Sequence, residues 1–130
     1  MKEPRPLFPL VVASLLWNLL LVASVALGDE RFSSRVAGGG FDQYPVGLRI
    51  AYLLTTILTI SLIWFALVER RAPNRFHPRL HLAIAILFSL SLVVNLASPS
   101  EPERYNAIPA LLIALYFLAR YRNHPRSTSA

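Results

Sequence analysis

The chain has 130 residues, of which 55% are hydrophobic and only 15% charged, with a net charge of +6 and a mean hydropathy of +0.48. So few charges cannot cover a water-soluble domain of this length, and lipid must be the solvent for much of the surface. The chain has no cysteine, which excludes disulfides, iron–sulfur ligation, thiolate zinc sites and thiol catalysis.

The first predicted element is Leu7–Leu27, 21 residues without a charge, long enough to cross a hydrocarbon core of roughly 30 Å. Lys2 and Arg5 make a basic start, and Ser24-Val25-Ala26 places small residues where a signal peptide would be cut. The apolar stretch nevertheless exceeds the roughly 7–15 residues of a signal core, so a retained signal-anchor helix is expected. The following connection, about residues 28–44, contains Gly38-Gly39-Gly40. It lacks the Lys-Ser/Thr of a phosphate loop and reads as a flexible linker.

Pro45 introduces a second apolar run, Val46–Val68, interrupted only by Arg49. Arg49 lies about one turn from the end of its helix, where it can snorkel outward or meet Asp42. The third run, Leu80–Ala97, is preceded by Pro78 and closed by Ser98-Pro99, since proline suits a helix start and cannot continue the ladder. The fourth, about 105–121, has a charge-free stretch of only 15 residues, Tyr105–Ala119. At about 1.5 Å per residue it reaches roughly 22 Å, so it needs its flanks or a thinned bilayer to cross. Tyr105, Tyr116 and Tyr121 suit interfacial depths. The remainder, 123–130, is a polar tail.

Charge orients these runs. Lys2, Arg5, Arg70, Arg71, Arg75, Arg79, Arg120, Arg122 and Arg126 would share one side, against Arg31, Arg35, Arg49 and Arg104 on the other, where Asp29, Glu30, Asp42, Glu101 and Glu103 also lie. The positive-inside bias predicts both termini in the cytoplasm. The expected fold is therefore an all-α integral membrane bundle of four helices, residues 1–122, in a bacterial-type inner membrane. Its basic residues flank apolar runs and are expected to meet anionic lipid headgroups, not nucleic acid.

Two sets of residues stand out as candidate contacts. In the second connection, Arg70, Arg71, Arg75, Phe76 and Arg79 could anchor anionic lipid or dock an acidic partner, with Phe76 as an apolar contact. Inside the spans, Asn18, Thr55, Thr59 and Asn95 are the polar groups best placed to tie helices together or to line a path. Asn18 lies near the middle of its span, and its expected partner is one of the second-helix threonines. His77 and His81 have the i, i+4 spacing of a metal pair. Pro78 would make His77 a cap, and flanking arginines would repel a cation, so both imidazoles are expected at the headgroup interface.

The predicted spans hold no Asp, Glu or Lys, which argues against an ion-coupled transporter. Ser33, Ser34, Ser98 and Ser100 have no histidine predicted on their side of the membrane, which argues against a serine hydrolase. No enzyme activity, metal or cofactor is expected. Phe76-His77-Pro78-Arg79-Leu80 resembles the Phe-Pro-x-Leu helix entry, and Tyr116-Phe117-Leu118 before Arg122 resembles the Tyr-Phe-Leu and basic tail, of the small four-helix bacterial inner-membrane family called domain of unknown function 2569. That resemblance implies architecture alone. The leading functional expectation is an accessory or scaffolding subunit of a larger membrane complex. The alternative is an oligomeric small-molecule transporter or channel component.

Overall fold

The computed structural model describes residues 7–125. Among them lie five helices, α1 (Leu7–Leu27), α2 (Val46–Arg71), α3 (Pro78–Ala97), the single turn α4 (Glu101–Arg104) and α5 (Ala107–Arg122). Two 3-10 turns, Glu30–Arg35 and Ala37–Gly39, fill the connection from α1 to α2. Three of the helices, α1, α2 and α3, are long and apolar enough to cross a membrane. In such surroundings the backbone must satisfy its own hydrogen bonds, which a helix does completely. Lys2, Arg5, Arg126 and most of the expected tail lie outside the described residues.

Local chemistry sets the boundaries. α1 ends in a Schellman motif: Gly28 takes a left-handed φ of +77°, its N–H bonds Val25 O at 3.0 Å, and Asp29 N–H bonds Ser24 O at 2.7 Å. Pro78 is the first residue of α3, and His77 Nδ1 accepts the N–H of Arg79 at 3.2 Å, so His77 is the cap its neighbour implied. Two predicted limits shift. α2 runs three residues past Val68, to Arg71, and the expected fourth run begins with a turn at Tyr105–Asn106, preceded by α4, so that its helix is the 16-residue α5.

The helices form two antiparallel hairpins. α2 packs on α1, α5 packs on both α1 and α3, and the resulting row α2–α1–α5–α3 curls into an arc. The short α5 is its hub. Its inward side, Ala107, Ala110, Ile113, Ala114 and Phe117, follows a spacing of three and four residues, and the alanines let neighbouring backbones come close. The core joins Ala110, Ile113, Ala114 and Phe117 to Val11 and Leu15 of α1, Phe65 and Ala66 of α2, and Ile84, Ala85 and Phe88 of α3.

The two ends of the bundle differ. One, here the basic end, carries the α2–α3 connection and the last turn of α5. The other, the capped end, carries the 3-10 turns and α4. Arg49, near the capped end, was expected to snorkel outward or to meet Asp42; its Nε donates to Ala26 O at 3.2 Å. The last turn of α1 offers carbonyls that lack helical partners, and they attract the guanidinium.

Candidate functional site

A crevice of about 430 Å³ opens on the concave side of the arc, in the half nearer the capped end. All four intramembrane candidates, Asn18, Thr55, Thr59 and Asn95, line it, together with Ser91. Asn18 Nδ2 donates to Thr59 Oγ1 at 3.4 Å, which joins α1 to α2 through one of the threonines expected for it. The Thr59 hydroxyl in turn donates to Thr55 O at 2.8 Å, and the Thr55 hydroxyl to Ala51 O at 3.0 Å. Such back-bonding lets a hydroxyl sit on an apolar helix face without an unmet donor. On the opposite wall Asn95 Nδ2 donates to Ser91 Oγ at 3.3 Å, one turn below it.

The crevice is bounded unequally. Its lining residues on α1 and α5 are buried or half-buried, whereas Thr55 and Leu58 of α2, and Leu87 and Val94 of α3, are exposed. The mouth therefore opens sideways between α2 and α3. Towards the basic end it stops at Leu62, Phe88 and Ile113, beyond which Phe65, Ala66, Ala114 and Phe117 fill the section.

A hydrogen-bonded roof closes the capped end. Buried Glu103 accepts Gly38 N–H at 2.8 Å and the Ser98 hydroxyl. Asn106 donates through Nδ2 to Arg35 O at 2.8 Å, while its Oδ1 accepts Trp17 Nε1–H at 3.1 Å. The Arg35 guanidinium lies 5.8 Å from the Trp17 ring centroid, a cation–π contact. Gly38 and Gly39, with φ of +76° and +68°, supply the left-handed residues of this turn. The glycine run is thus an ordered turn tied to α4, not the flexible linker its composition suggests. Nearby, burial pushes the Tyr44 phenol above its ordinary range. At the surface, hydrogen bonding from Arg31 holds the Asp29 carboxyl below its usual value.

The basic end holds a buried acid one residue beyond the second predicted span. Glu69, 1% exposed, falls in the extended last turn of α2, where its Oε1 meets Arg120 Nη2 at 2.6 Å and accepts Asn74 N–H at 2.8 Å. His81 is equally buried, so it is not the headgroup contact predicted for it. It packs beside Phe65 and Phe117, with ring centroids 5.4 and 6.2 Å away. Its Nε2 is 3.4 Å from Glu69 Oε1, within ion-pair range but misaligned for a hydrogen bond. Exposed His77 and buried His81 do not converge, and among the described residues no group of three or more His, Asp or Glu could hold a metal.

The basic connection divides by side chain. Arg71, Arg75 and Arg79 are exposed. Arg70 stands 5.0 Å from the Phe8 ring centroid. Phe76, expected as a partner contact, packs against the core instead, 4.6 Å from the Phe65 ring and 6.4 Å from that of Trp64. The Glu69–Arg120 pair and the Glu103 roof were not anticipated. Their one signal is an acid standing alone beside clustered arginines, at Glu69, and an acid amid serine and proline, at Glu103. No family model, curated protein or solved structure matches this chain.

Proposed function

We propose that the chain is a four-span protein of a bacterial-type inner membrane, with both termini in the cytoplasm, and that it serves as a non-catalytic accessory subunit of a larger membrane complex. The basic end then faces the cytoplasm, in keeping with the positive-inside bias. α5, about 24 Å long, crosses between α1 and α3, whose greater length shields it where the bilayer is thicker. Arg71, Arg75 and Arg79 meet anionic headgroups or an acidic partner. The likeness to the domain of unknown function 2569 family supports the architecture and nothing further.

The observation that carries the accessory role over transport is the blind end of the crevice. Side chains that could line a path converge in one half, yet Phe65, Phe117 and their neighbours fill the other half. A single chain therefore offers binding surface and no conduit. The two outer helices suit a subunit, because the most apolar windows of α2 and α3 are each only 22% buried. Their exposed leucines, isoleucines and valines remain for lipid or for a partner.

Native mass spectrometry of the protein, gently extracted from its own membrane at natural abundance, tests this reading. A stoichiometric larger partner is expected. A homo-oligomer of fixed size with no other protein would overturn it in favour of an oligomeric conduit.

A further inference from the structure

We propose that the crevice between α2 and α3 binds an uncharged lipid that carries a free hydroxyl, an acylglycerol or a long-chain isoprenoid alcohol, which enters sideways from the bilayer. The site requires that α2 and α3 lie in a membrane but does not depend on the accessory role.

The route of entry follows from the boundaries. The roof of Glu103, Asn106, Arg35 and Trp17 separates the crevice from the aqueous side. The mouth is flanked by exposed apolar side chains, Leu58 on α2 and Leu87 and Val94 on α3. A molecule that reaches it sideways is already dissolved in lipid. A volume of about 430 Å³ lies within the roughly 300–1,000 Å³ of small-molecule sites. It accommodates a head and the first part of a chain, and leaves the rest to run along the apolar faces beside the mouth.

The chemistry of the head follows from the polar groups. The two charged side chains at the crevice are already engaged in the roof. Glu103 accepts from Gly38 and Ser98, and Arg35 lies over Trp17 with Nη1 donating to Pro102 O at 3.4 Å. The groups left to face a ligand are neutral, so a phosphate or an ammonium would go uncompensated in a medium of low dielectric constant. Asn18 and Asn95 each donate an amide N–H to a hydroxyl within the bundle, Thr59 and Ser91 respectively. Among the described residues, neither amide oxygen receives a hydrogen bond in return. Two carbonyl acceptors beside an apolar wall select a ligand that brings a donor, and in a neutral lipid that donor is a hydroxyl. A ligand hydroxyl held at such a depth would bond far more strongly than one at the water interface.

The test uses the full chain in phosphatidylcholine vesicles with a trace of diacylglycerol that carries a photoactivatable diazirine close to its glycerol. After illumination, labelled peptides are mapped by mass spectrometry. Labelling is expected at crevice-lining side chains, among them Asn18, Thr55, Leu58, Thr59, Ser91 and Asn95. Unlabelled diacylglycerol should suppress it, and the O-acetylated form, which lacks the donor, should not. Asn18→Leu with Asn95→Leu should reduce labelling about tenfold, the scale of a lost pair of hydrogen bonds. Leu58→Trp, which narrows the mouth and leaves every polar group in place, should reduce it as well. That second variant keeps the test decisive if the double variant fails to fold. Equal suppression by the acetylated form, or adducts spread over the outward faces at Leu54, Ile57 and Leu90, would overturn the proposal and mark an ordinary lipid annulus. Cross-linking of the mouth to another protein in native membranes would overturn it too, because a partner helix would then fill the crevice. Recovery of the native protein from the soluble fraction would instead remove the membrane placement itself.

Discussion

The two halves of this bundle handle polar groups in opposite ways. Towards the basic end, buried Glu69 and half-buried Arg120 are matched to one another, with Phe65, Phe76, Phe117 and His81 packed in the same section. Towards the capped end, the crevice-lining groups of α1, α2 and α3 are neutral amides and hydroxyls, several bonded only to their own helix, and space remains beside them. Charge in a medium of low dielectric constant requires a fixed partner and a filled surround. Neutral groups tolerate partial satisfaction, so they can line a cavity. The difference separates a tightly filled half from a half that leaves space beside its polar groups.

The comparison can be broken at each level. The largest effect is expected at the ion pair. Arg120→Ala leaves the Glu69 carboxylate buried with its cation gone, and a loss of about 3–5 kcal/mol follows. Thermal unfolding in detergent, followed by circular dichroism, measures it. The paired change Glu69→Gln with Arg120→Gln should recover much of that loss, since it removes both charges together.

Next comes the roof. Gly38→Ala forces a left-handed residue with a β-carbon, at about 1–2 kcal/mol. The added carbon meets only the Pro99 ring, Cγ at 3.7 Å and Cδ at 4.0 Å, which are ordinary contacts, so the cost is conformational. Hydrogen exchange at residues 33–39 should rise selectively, while exchange at the inner ends of α2 and α3 stays unchanged. Exchange that rises uniformly would deny the roof its local role.

A smaller effect is expected within the crevice. Asn18→Leu removes one bond between α1 and α2 and should cost about 0.6 kcal/mol, the average for such bonds in membranes. A loss as large as that of Arg120→Ala would mean that the two halves do not divide the work of stability as described.

The smallest effect belongs to the surface turn. Arg31 holds the Asp29 carboxyl below its ordinary value, so the stabilisation of that turn is present above the unfolded carboxylate range. It fades as pH falls through the lowered value. Arg31→Ala should move the Asp29 titration upward, which carboxyl chemical shifts would register, with little change in overall stability because the pair is exposed.

Much of this organisation was legible in the sequence, and the gaps have physical causes. The uncharged run ending at Leu27 stops where α1 stops, and Pro78 marks the start of α3. The pairing of Asn18 with a second-helix threonine follows from the cost of leaving an amide unmet in lipid. Glu69 escaped because it opens a stretch dense in arginine, which reads as one solvated loop. Its partner Arg120 stands 51 residues away. Local charge density does not say which member of a cluster turns inward. Phe76 misled in the same way, since a lone aromatic among arginines suits a docking surface as well as a core. The glycine run misled because composition records backbone freedom, whereas Glu103 and Ser100, far along the chain, determine whether that freedom is used. Glu103 binds Gly38, and the Ser100 hydroxyl donates to Ser34 O.

The division into two halves rests on α5 crossing the membrane despite its 16 residues. The absence of native cysteine makes this directly measurable with two single-cysteine variants, Ser100→Cys before α5 and Asn123→Cys after it. Each would be treated with a membrane-impermeant maleimide in sealed right-side-out and inverted vesicles. Four crossings predict that the first reacts only in right-side-out vesicles and the second only in inverted ones. Reaction of both in the same orientation would contradict the crossing, and with it the assignment of the roof and the ion pair to opposite sides.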